Sequence, residues 1–135
     1  MVAGLGGGVV ALLSELVNLL EALAADATAA SIDLQSLPMS AADRVQLQQV
    51  LGEGEVQSTL TAQGISRIRE TGVSGVWWVE HVGQDGELVA ESIEVTLIPD
   101  ILKAAADEIA PAARDLRVRI DALTAEEHTR SHVTN

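Results

Sequence analysis

Four sets of residues have types and spacings that invite chemistry. Glu53 and Glu55 stand two apart between glycines, as a general acid and base might be arranged. His128 and His132 stand four apart, like zinc ligands on one helix face. Ser58, Ser66, Ser74 and Ser92 are candidate nucleophiles, and Trp77 and Trp78 are the chain's two aromatic residues. Each set meets an objection. The glutamates have no nucleophile or histidine near them in sequence, so a paired-carboxylate mechanism is disfavoured. The histidines lack the glutamate that follows the first histidine in zinc hydrolases and lie in a polar terminal stretch. The serines stand in no Gly-x-Ser-x-Gly elbow and have no histidine close in sequence; His81 is isolated. The glutamates read instead as solvated groups on a glycine-shaped turn, with Gly52 and Gly54 fixing an unusual backbone. In that setting one glutamate either meets a basic residue of a partner or caps a neighbouring element.

Composition sets outer limits. With 135 residues, 47% of them hydrophobic, the chain can bury a sizeable core as a single domain. A net charge of −12 makes nucleic acid and anionic membrane surfaces poor partners and favours a basic or neutral protein patch. Without cysteine there is no disulfide, thiolate metal ligand or sulfur nucleophile, and the cytoplasm is the expected compartment. The apolar N-terminus has no Lys or Arg before Arg44 and is broken by Glu15 and Glu21, which argues against a signal peptide and against membrane insertion. Gly4, Gly6 and Gly8 suggest a dinucleotide loop, but no strand can precede them. Residues 1–8 are expected to be a flexible lead-in.

The elements that must position these groups follow from periodicity. Leu13, Leu16, Val17, Leu20 and Leu23 recur at helical spacing. Residues 30–37 alternate like a short strand ended by Pro38. Ser40, with Asp43 three residues on, forms a capping-box signature for a helix that stops at Gly52. Strands are predicted over residues 56–61, 65–70, 75–82 and 89–98, with Glu91, Ile93, Val95 and Leu97 on one face of the last. A helix then opens at Pro99 and runs to Leu123, with Pro111 kinking or restarting it. Its stripe of Leu102, Ile109, Leu116, Ile120 and Leu123 is expected to lie partly in the core and partly in a symmetric homodimer. The prediction is an α+β fold: a mainly antiparallel sheet with helices packed on one face, a single domain over residues 9–123, and a polar, disordered tail over 124–135.

Read together, the blocks IDLQSLPMSAADRVQLQQVLGEGEV, ISRIRETGVSGVWWVEH and ESIEVTLIP resemble, in order, the C-terminal domain of the HupH/HyaF hydrogenase expression/formation proteins, over about Val10 to Leu102. Trp78 departs from the polar residue that this pattern holds after Gly-Val-Trp, and many relatives carry further sequence before the domain. The resemblance implies a chaperone-like, non-enzymatic factor in the maturation of an uptake [NiFe]-hydrogenase. Such a factor binds a hydrogenase subunit precursor or other maturation proteins and needs no metal or cofactor of its own. The competing reading is a generic structural domain that oligomerises through its C-terminal helix. The partner-binding residues are expected among Glu53, Gly54, Glu55, Glu70, Gly75, Trp77 and Trp78. Consecutive strand residues point to opposite faces, so one tryptophan should enter the core while the other faces the opposite side, where helices or a second subunit could cover it. Trp77 is the expected buried member, and Trp78 the exposed one that anchors a partner.

Overall fold

A computed structural model describes residues 4–133, with the side chains of 131–133 left aside. The chain divides into two compact units, one ending at Pro99 and the other beginning at Asp100.

The first unit is an α+β fold. Helix α1 (Gly7–Asp26) begins within the expected lead-in and buries Val9, Leu12, Leu16 and Leu23, one side of its leucine-rich surface. By length and composition it is also apolar enough to cross a membrane, but here those four side chains form part of the core. It ends on Ala27, whose positive φ of 62° lets its amide reach the Leu23 carbonyl at 2.9 Å. Strand β1 (Ala30–Asp33) is shorter than expected. The Asp33 carboxylate accepts the Gln35 amide at 3.0 Å and turns the chain into a 3-10 turn over Leu34–Ser36, so the alternation of residues 34–37 is not strand. Helix α2 (Ala41–Leu51) has the expected capping box: the Ser40 hydroxyl accepts the Asp43 amide and the Asp43 carboxylate accepts the Ser40 amide, each at 3.1 Å.

Four strands follow: β2 (Gln57–Ala62), β3 (Gly64–Glu70), β4 (Val76–Val82) and β5 (Leu88–Val95). They form an antiparallel sheet in the order β1-β5-β4-β3-β2, which leaves β1 and β2 at its edges. β5 stops at Val95, three residues short of the predicted end, with one last bond from the Thr96 amide to the Gly75 carbonyl at 2.9 Å. Leu97, expected to share the face of Ile93 and Val95, is consequently exposed. α1 and α2 cover one face of the sheet, where Val76, Trp78, Ile93 and Val95 meet Leu12, Leu16, Leu34, Leu47 and Leu51.

The second unit begins with a 3-10 turn at Asp100–Leu102 and continues as helix α3 (Ala106–Val133). The helix expected from Pro99 therefore starts at Ala106. Pro111 lies inside its second turn, where it removes one amide hydrogen bond of the helix without ending it. The polar stretch expected to be disordered continues the helix as far as Val133. Within this unit residues 106–130 are exposed.

Candidate functional site

The two glycine-acid stretches are one structure. α2 ends at Gly52, whose φ of 69° turns the chain away while its amide holds the Gln48 carbonyl at 2.8 Å. Residues 52–56 then lie along the start of the β3–β4 turn, joined to it backbone to backbone. The Gly54 amide donates to the Glu70 carbonyl, the Glu70 amide to the Val56 carbonyl, and the Gly72 amide to the Leu51 carbonyl, each at 2.9 Å. Gly54 has to be glycine, because a Cβ there would stand 2.6 Å from the Thr71 carbonyl oxygen. The buried Thr71 hydroxyl ties the turn by donating to the Val76 carbonyl at 2.9 Å and accepting the Val73 amide at 3.1 Å.

Beside this junction is a small cavity of about 90 Å³, lined by Gln48, Glu53, Arg69, Glu70, Thr71 and Trp78 among others. Substrate-sized sites run to about 300–1,000 Å³, so it is a dimple in a surface too small for a metabolite. Glu53 and Glu55 are exposed and Glu70 is half-buried. Arg69 is engaged with Glu80 at 2.8 Å across the strand pair. Of the expected partner-binding residues, Glu53, Gly54, Glu70 and Trp78 converge here, and Glu55 is exposed one residue beyond Gly54. Gly75 lies at the far end of the turn, where an added Cβ would meet Leu20 and Leu23 of α1 at 3.2 and 3.3 Å.

The tryptophans correct the sequence reading. They do take opposite faces of β4, but both are buried: Trp77 is 5% exposed and Trp78 only 2%. Trp78, expected outside, lies in the core beneath α1 and α2. Its indole N–H donates to Glu91 Oε2 at 3.0 Å, and the other oxygen of Glu91 pairs with Arg44 Nε of α2 at 3.0 Å. A buried carboxylate thus ties α2 to β4 and β5, and it gives the indole a polar partner that a core tryptophan needs. Trp77 donates its N–H to the Thr96 carbonyl at 3.1 Å and shares the other face with the buried Ile68 and Val79. Neither indole is available as a surface anchor.

Sequence reasoning missed Glu91 and Arg44, although one signal was present: Glu91 shares the parity of the core residues Ile93 and Val95. It also missed a partner for Ser66. The Ser66 hydroxyl and His81 Nδ1 are 2.7 Å apart across the register pair of β3 and β4. The two residues lie fifteen apart in sequence but directly opposite in the sheet, which corrects the view of His81 as isolated. Among the described residues, no group of three His, Asp or Glu side chains could hold a metal ion.

The family model for the HupH hydrogenase expression protein, C-terminal conserved region, matches residues 8–123. The chain is 38% identical over 113 residues to hydrogenase expression/formation protein HupQ of Azotobacter chroococcum mcd 1, covering 80% of this chain and 40% of that protein. It is 34% identical over 91 residues to hydrogenase-1 operon protein HyaF of Escherichia coli (strain K12), covering 67% of this chain and 32% of that one. A solved structure of hydrogenase expression protein HupH from Thiobacillus denitrificans superposes with a TM-score of 0.82 at 34% identity, covering 87% of this chain and 98% of the solved one. The chain spans about 40% or less of the length of these curated relatives.

Proposed function

This chain belongs to the HupH hydrogenase expression protein family through its C-terminal conserved region, and from that membership we propose that it is a cytoplasmic, chaperone-like factor that holds a hydrogenase subunit precursor during maturation without catalysing a reaction. The observation that carries this reading is the junction of residues 52–56 with residues 70–75. Glycines and backbone hydrogen bonds fix its shape, exposed carboxylates stand on it, and the hollow beside it, about 90 Å³, is too small for a substrate. Rigid shape with carboxylates and no substrate cavity suits a protein surface bearing basic groups. Glu53, Glu55 and Glu70 make the contact, while Gly54 and Gly75 hold the shape. Trp77 and Trp78 support the surface from inside the fold, a change from the contact role first expected of them.

The test is capture of native partners by the tagged chain from cells expressing a hydrogenase operon. Recovery of a hydrogenase subunit precursor, reduced by Glu53→Gln combined with Glu55→Gln, supports the reading. Recovery of the chain alone, as a self-associated species, favours the oligomerisation alternative. In that case the exposed Ile109, Leu116, Ile120 and Leu123 of α3 are the first residues to replace.

A further inference from the structure

A larger groove of the first unit lies away from the glycine junction, at the β1 edge of the sheet. Its volume is about 440 Å³, within the range of functional pockets and well above that of the cavity beside Trp78. Its floor is apolar, made by Leu12 of α1, Ile32 of β1, and Leu37 and Met39 of the segment leading into α2. The charged residues that line it are both acidic: Glu15, which is exposed, and Asp43, which has one carboxylate oxygen engaged by the Ser40 amide. β1 runs along it as an edge strand paired only with β5, with Ser31 and Asp33 exposed and Ile32 turned half inward.

The geometry points to this groove as the docking site for an extended polypeptide segment of another protein, with alternating apolar side chains and a Lys or Arg at its flank. Three features select that occupant. The open side of β1 offers main-chain groups to an added strand, and the alternate side chains of such a strand would fall into a pocket. The floor takes apolar groups but has no buried polar side chain to orient a small molecule. The acidic rim, on a chain of net charge −12, draws a cation and repels a carboxylate. β1 has only four residues, so backbone pairing alone is short and the groove must supply the selectivity. The inference rests on the accessory role proposed above, and it identifies the kind of precursor segment that would be held.

The test uses the full chain and a short, fluorescein-labelled synthetic peptide of alternating Leu and Thr with one terminal Lys, beside a twin carrying Glu in place of Lys. Fluorescence anisotropy should show the Lys peptide binding and the Glu twin binding about tenfold more weakly or worse. Ala11→Arg places a long side chain in the groove from an exposed position on α1, and Glu15→Lys reverses the rim. Each should weaken binding about tenfold while thermal melts stay unchanged, since exposed sites are tolerant. Amide exchange should slow at residues 30–33 when the Lys peptide is bound. No binding of the Lys peptide, equal binding of the two peptides, or full binding by Ala11→Arg would overturn the proposal. So would light scattering that shows self-association abolished by Ala11→Arg, because the occupant would then be a second copy. If wild type and Ala11→Arg capture a hydrogenase subunit equally, the groove proposal fails and the accessory role stands. If the peptide binds the groove but no subunit is ever captured, the reverse holds.

Discussion

Trp77 and Trp78 are neighbours in one strand, yet they stand in two different regions of the molecule. Trp78 faces α1 and α2, in the main apolar cluster, and its N–H ends on a carboxylate that is itself paired with an arginine from α2. Trp77 faces the other way, beside Ile68 and Val79, and its N–H ends on a main-chain carbonyl just beyond β5. The first indole therefore joins three elements through side chains, whereas the second pins the end of one strand. Equal burial does not make the two residues equally costly to lose.

The largest expected effect is at Trp78. Trp78→Ala should destabilise the first unit by about 3–5 kcal/mol, the cost of emptying a well-packed aromatic site, and enough to unfold a domain of ordinary stability. Glu91→Ala comes next, at about 2 kcal/mol. It strands the buried Trp78 N–H, while Arg44, a third exposed, can turn to water. Urea titrations of the variants give the order. Trp78→Ala melting close to wild type would break the contrast, and Glu91→Ala as damaging as Trp78→Ala would put the carboxylate, and not the ring, at its centre.

Much of the architecture is legible in the sequence because it is written locally. The capping box at Ser40, the glycine stop at Gly52 and the alternation of β2 to β5 each depend on residues a few positions apart, and each appears in the fold. What was misread depends on distant pairing. The last bond of β5 is made to Gly75, twenty-one positions before Thr96, and the Ser66–His81 pair exists only once β3 and β4 are in register. Alternation correctly put the two tryptophans on opposite faces. It could not say that both faces would be covered, and the choice of Trp78 as the exposed member failed because that face lies under two helices. The candidate site was half legible. Its residues were named, but their union across the α2–β2 and β3–β4 connections was not, since main-chain hydrogen bonds leave no side-chain signature.

A smaller effect sharpens the same contrast from the other side. Trp77→Phe removes the hydrogen bond to the Thr96 carbonyl and trims the indole to a phenyl ring, so it should cost about 1–3 kcal/mol, less than Trp78→Ala. The damage should be local, with faster amide exchange at residues 94–96 and little change near α2. A loss as large as that from Trp78→Ala, or spread into α2, would mean that the two regions are not separable.

The smallest expected change in stability is at the carboxylates of the junction, and there the comparison between fold and function is most direct. Glu53 and Glu55 are exposed, and the backbone bonds around them run through Gly52, Gly54 and Gly72 and do not involve their side chains. Glu53→Gln and Glu55→Gln should therefore stay within about 0.5 kcal/mol of wild type, as surface substitutions usually do. If these residues meet a basic patch on a partner, removing their charge should slow association and flatten its dependence on salt far more than it alters the melt. Gly54→Ala is the counterpart: it drives a methyl into the Thr71 carbonyl, so it should weaken the junction and partner capture together. Capture kinetics of a hydrogenase subunit at two salt concentrations, read beside the melts, separate the cases. Normal capture by the double glutamine variant would remove the carboxylates from the contact. Loss of capture in Gly54→Ala alone would then leave the shape of the junction as the feature the partner recognises.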